Sequence, residues 1–134
     1  MKHVCAADRR KRILYASRHY PGRVHDKTVL KEESKRHTLP DSIKKLFDLA
    51  FLGLEHEHQN VVMPTRKPKN MNLTAKQKKR NARISRVRVK IENAFAGVKR
   101  LRIVYNVSRT RRDEFINLTF LVSSGIWNFH LAKG

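Results

Sequence analysis

The strongest constraint on the fold is a row of apolar residues. Ile84, Val87, Ile91, Ala94, Phe95, Val98 and Leu101 recur at steps of three and four. That spacing marks one face of an α-helix, because 3.6 residues complete a turn. The helix is expected to start at Thr74, since Thr74 and Gln77 have the spacing of a capping box. Lys76, Lys78, Lys79, Arg80, Arg83, Arg86 and Lys90 cover its other faces, and Gly97 is its weak point. Within the basic stretch Arg86–Ile103 there is one carboxylate, Glu92.

Charge narrows the function classes next. The 134 residues carry 31 Lys+Arg against 11 Asp+Glu, a formal net charge of +20. Solubility needs far less, so this excess points to a polyanionic partner, with nucleic acid ahead of an anionic membrane surface. No apolar run reaches the roughly 18–20 residues of a transmembrane helix. "MKHVCAADRRKR" lacks the apolar core of a signal peptide. Cys5 is the single cysteine, which excludes a disulfide framework and a zinc set, and it reads as a small buried residue. These features are expected of an intracellular protein without a targeting signal.

Along the chain, "HVCAAD" (His3–Asp8) and "RILYAS" (Arg12–Ser17) read as a β-hairpin around Arg9–Lys11. "YPGRVHD" is a turn, with Asp26 placed to cap the helix of "KTVLKEESKR". Ile43–Leu46 is expected to form one helical turn. "LFDLAFLG" (Leu46–Gly53) reads as a buried strand and "NVVMP" (Asn60–Pro64) as a short one. Thr110 is expected to cap a last helix from about Arg111 to His130, with Asp113 and Glu114 in its positive first turn. That helix is apolar nearly all round, as in a buried helix or one with a partner. Trp127 belongs to its core-facing aromatic set. The order is β-β-α-β-β-α-α, a mixed sheet with helices in one domain.

Two acids stand out. Asp48 sits inside an apolar run, and Glu92 sits at the edge of the helical stripe. Each has a plain structural role open to it: Glu92 in an ion pair with Arg88 or Lys99, Asp48 as a strand-end acid holding backbone donors. Each is also a hard oxygen ligand suited to Mg²⁺ or Mn²⁺. A pair of such ions, roughly 3.5–4 Å apart, activates water and stabilises the leaving oxygen in phosphodiester cleavage. "EHEH" (Glu55–His58) reads as a solvated loop, because sequence neighbours in a loop rarely converge on one ion.

"YPGRVHDKTVL", "FDLAFLG", "MPTRKPKN", "LTAKQKKRN" and above all "ISRVRVKIENAFAGVKRLRIVYN" resemble DDE-superfamily transposases of the insertion-sequence-five and harbinger-like type. The resemblance covers nearly the whole chain. It implies an α/β, RNase H-like mixed sheet with flanking helices, in which three acids hold two Mg²⁺ or Mn²⁺ ions. Such an enzyme cuts DNA with water and joins it through a 3′-hydroxyl. The family's second acid, in a "D-x-G-[FY]" setting, maps to Asp48 and its third to Glu92, which would be the catalytic metal ligands. The His25-Asp26 pair also matches a family motif. Two departures follow. Ala50 stands where the family has glycine, and the strand before the hairpin that bears the family's first acid is expected to have no counterpart, Asp8 at the hairpin turn being a poor substitute.

The expectation is therefore a partial DDE endonuclease domain over residues 1–134, truncated at its N-terminus and impaired as a fragment. Lys67, Lys69, Lys76, Lys79, Arg80, Arg83 and Arg86 are expected to bind the DNA backbone, mainly through phosphates. The partners would be transposon ends and target DNA, in a bacterial cytoplasm at the nucleoid and not at a membrane. A homodimer or a complementing N-terminal fragment is a further expectation. The alternative is a non-enzymatic nucleic-acid binder.

Overall fold

The computed structural model describes residues 2–37, 39–106 and 112–134, with the side chains of Tyr105 and Asn106 left aside. The fold is mixed α/β. Its order is β1 (Cys5–Ala7), β2 (Ile13–Ala16), α1 (Asp26–Ser34), β3 (Lys45–Leu46), a 3-10 turn (Leu49–Phe51), β4 (Val61–Val62), α2 (Ala75–Lys99), α3 (Ile103–Asn106) and α4 (Asp113–Lys133). The chain forms two compact units, Met1–Val24 with Arg88–Gly134, and His25–Val87. The described strands pair two by two, β1 with β2 antiparallel and β3 with β4 parallel.

In the first unit the expected hairpin is present. Asp8 closes it: its Oδ1 accepts from the backbone N–H groups of Arg10 and Arg12, both at 2.9 Å, and Lys11 takes a positive φ of 67°. Between Ala6 and Ala7 the register slips from Tyr15 to Ile13, so Leu14 is the extra residue of a bulge and faces solvent. The opposite side of β2 packs inward, where Ile13, Ala94, Val98 and Phe120 form the core with Cys5, Phe95 and Trp127 against it. Trp127 is thus a core residue, as its pattern indicates. Its indole Nε1 donates to the Lys11 carbonyl at 2.9 Å, and its ring fills the space beside Gly97. The glycine that weakens α2 by propensity is what lets the ring lie against the helix backbone.

α4 is tied to the hairpin by two amide side chains. Asn128 accepts from Ile13 N–H at 2.8 Å and donates to Ile13 C=O at 2.9 Å, as a neighbouring strand would. Asn117 accepts from His19 N–H at 2.7 Å. α4 buries Ile116, Thr119, Phe120, Ser123 and Ser124, and the Thr119 and Ser124 hydroxyls return their hydrogen bonds to carbonyls four residues back. Asp113 and Glu114 do occupy its first turn. The cap expected at Thr110 lies outside the described residues.

The second unit corrects three expectations. Asp26 is the first residue of α1 and not its cap, a position held by His25 without a side-chain bond. Ile43–Leu46 is no helical turn; Lys45 and Leu46 are β3, held by Lys45 N–H donating to the Asn60 carbonyl and Phe47 N–H donating to Val62. Leu46–Gly53 is not one buried strand. Asp48 ends β3 by capping the 3-10 turn, and Leu49 and Leu52 are exposed. Val61–Val62 is the short strand expected.

Candidate functional site: a basic helix face and two carboxylates

α2 begins as its sequence indicates. Thr74 N–H donates to Gln77 Oε1 at 2.9 Å, and Gln77 N–H donates to Thr74 Oγ1 at 3.2 Å, a complete capping box. From Ala75 to Arg83 no residue is buried. From Ile84 onward the apolar stripe turns inward, with Ile84, Ala94 and Val98 buried and Val87, Ile91 and Phe95 half-buried. The first half of α2 is therefore a surface.

That surface is uniformly positive. Lys76, Lys79, Arg80, Arg83 and Arg86 recur at helical spacing along one side and are all exposed. No acidic residue occurs between Glu57 and Glu92, so nothing in that stretch of chain offsets them. Lys67 and Lys69 are exposed in the preceding loop. All seven residues expected to bind DNA lie in the second unit.

One residue that joins them escapes sequence reasoning. Asn81 Oδ1 accepts from Thr65 N–H and its Nδ2 donates to Thr65 C=O, each at 2.9 Å. Arg80 Nη1 adds a bond to Thr65 Oγ1 at 3.3 Å. The start of the loop bearing Lys67 and Lys69 is thus pinned to the basic helix. The faint signal in sequence is that Gln77 and Asn81, four apart, are the uncharged polar side chains among the lysines and arginines of this turn.

The acids sit in different units. Asp48, half-buried at the end of β3, accepts from Leu49 N–H through Oδ1 at 2.7 Å. Three residues upstream, buried Lys45 directs its ammonium to Asp41 at 3.2 Å. Ala50 follows in the 3-10 turn, exposed and without a positive φ, so its methyl meets no backbone penalty. Glu92 lies further along α2 and pairs with Arg88 Nε at 3.0 Å, with about half of its side chain exposed. Both structural roles open to these acids are therefore filled. The two are also carboxylates of the type a hard divalent cation takes.

Other ligand-type residues go elsewhere. Glu57 pairs with Lys31 at 2.7 Å, which holds its carboxyl below the usual range, while Glu55 accepts from Gly53 N–H and His58 lies edge-on to Phe47. Among the described residues no three His, Cys, Asp or Glu side chains form a metal-ligating group. No described helix is long and apolar enough to cross a membrane.

A capped helix with a one-signed basic face is suited to a polyanion. The chain matches the model of the DDE superfamily endonuclease domain over residues 1–128, and it belongs to that family. It is 29% identical, over 114 residues, to a probable transposase for insertion sequence element IS702 from Microchaete diplosiphon. That match covers 85% of this chain and 40% of the relative, so the chain spans less than half of the transposase it resembles. No solved structure matches it.

Proposed function

We propose that this chain is the acid-bearing and DNA-holding part of a transposase of the insertion-sequence-five and harbinger-like type. The observation that carries this reading is the membership in the DDE endonuclease family over nearly the whole chain. The basic face of α2 supports it. Lys67, Lys69, Lys76, Lys79, Arg80, Arg83 and Arg86 would grip phosphates, with affinity set by counterion release and not by base sequence. Asp48 and Glu92 would hold Mg²⁺ or Mn²⁺, which supplies charge neutralisation at the scissile phosphate when bound. For this, Glu92 must release or share its bond with Arg88, and the freed guanidinium is then available to the DNA backbone.

The RNase H-like reading of the mixed α/β fold rests on the family resemblance. Asp48 and Glu92 would be two of the three acids that the resemblance implies. Transposon ends and target DNA are the substrates, which places the work at a bacterial nucleoid in the cytoplasm.

A supercoiled-plasmid nicking assay tests this reading. Nicking that appears with Mg²⁺ or Mn²⁺ and vanishes in Glu92→Gln while binding persists is the expected result. Salt-sensitive binding without nicking under any of these conditions overturns the nuclease reading and leaves a nucleic-acid binder.

A further inference from the structure

α1 carries two lysines that the proposed chemistry does not use, and the acids of "EHEH" (Glu55–His58) meet them. Lys27 and Lys31, four apart, stand on one side of α1. Lys31 Nζ pairs with Glu57 Oε1 at 2.7 Å. Lys27 Nζ donates to the Leu52 carbonyl at 3.3 Å and lies against Gly53, where a Cβ would meet it at 2.7 Å. Gly53 takes a positive φ of 91°, and its N–H donates to Glu55 Oε2 at 2.5 Å. Lys27 is also within electrostatic reach of Glu55 and Glu57. Two cations of one helix thus face two carboxylates of one loop. Val29 of α1 and Leu54 of the loop are both fully buried.

The loop held in this way begins at Asp48. Leu49 N–H donates to Asp48 Oδ1 at 2.7 Å, Phe51 N–H to the Asp48 carbonyl at 3.0 Å, and Leu52 N–H to the Leu49 carbonyl at 3.1 Å. Leu54 N–H then donates to Phe51 and Glu57 N–H to Leu54, both at 3.0 Å. A chain of short backbone bonds therefore runs from Asp48 to the residues that α1 grips. The 3-10 turn itself buries no residue. A turn without buried side chains of its own opens locally unless a neighbouring element fastens it. α1 packs on this turn. Single ion pairs at a surface contribute little, but a network that includes a backbone acceptor is better placed to hold one geometry.

We infer that Lys27 and Lys31 are positioning residues for Asp48, bracing its turn against α1 so that the carboxylate keeps one direction toward a divalent cation. The inference rests on the reading of Asp48 as a metal ligand. The direction of the effect separates bracing from charge. Removing a nearby cation strengthens metal binding where Coulomb attraction alone acts, whereas removing a brace weakens it. The test uses the full chain with Mn²⁺ as the probe. Electron paramagnetic resonance reads free Mn²⁺, and mass spectrometry reads amide exchange over residues 48–54. Lys27→Met and Lys31→Glu are expected to bind Mn²⁺ about threefold more weakly, with faster exchange in the turn and unchanged circular dichroism. Combining Lys31→Glu with Glu57→Lys restores both. Binding as tight as in the parent or tighter, or a charge swap that restores neither property, overturns the inference. Asp48→Asn tells the two failures apart. If it binds Mn²⁺ as the parent does, the metal reading of Asp48 has failed. If it loses Mn²⁺ while Lys27→Met and Lys31→Glu keep it, the brace alone has failed.

Discussion

Gly97 shows how one residue can be costly locally and required by its surroundings. A Cβ there would overlap the Trp127 ring atoms Cε3, Cζ3 and Cη2. Alanine gains about 1 kcal/mol of helix propensity, but overpacking a ring that is also held by its hydrogen bond to Lys11 costs about 3 kcal/mol or more. Gly97→Ala is expected to lower stability by about 2 kcal/mol, read from a urea melt. Cys5 behaves differently. Burial pushes its thiol up from 9.0 to about 12. Between those values the unfolded chain loses this proton and the folded one keeps it, so the thiol's contribution to stability falls as pH rises from 9 to 12. Stability measured across that range should drop more steeply in the parent than in Cys5→Ala, and iodoacetamide should label the folded thiol slowly at pH 8.

At the scale of elements, side-chain amides do the joining. Asn128 completes the outer edge of β2 from α4, and Asn81 holds the Thr65 backbone to α2. Each satisfies an N–H and a C=O that a lone short strand or loop would leave to water. Asn81→Ala removes no charge yet frees the loop carrying Lys67 and Lys69. The loss of about 1 kcal/mol of loop ordering should weaken DNA binding about fivefold. Fluorescence anisotropy should also show a shallower salt dependence in this variant, because two of the cations no longer hold a fixed place. An unchanged slope would assign those lysines no part in binding.

Across the whole molecule, charge is the property that acts at a distance. With a net +20, association with any DNA should be fast and strongly screened by salt. Seven phosphate contacts predict a slope of log K against log[salt] of about −6, falling to about −4.5 in Asn81→Ala. A slope near −2 measured by anisotropy would reassign most of the basic face to solvent.

The amino-acid sequence alone determined the hairpin, the capping box and inward stripe of α2, the acidic first turn of α4, and the large positive net charge. Those features depend on residues close in the chain, or on totals, where periodicity and Coulomb's law act without knowledge of the fold. Tertiary structure alone decided that Asp48 stops β3 and caps a turn, that Trp127 needs Gly97, that Asn81 and Asn128 clamp distant backbone, and that α4 leaves one apolar face outside. A run such as "LFDLAFLG" is equally apolar as strand or turn, and an asparagine's pattern is the same whether its partner is water or a carbonyl 115 residues away. Which of these wins depends on the neighbours that packing brings together, and no local spacing encodes them.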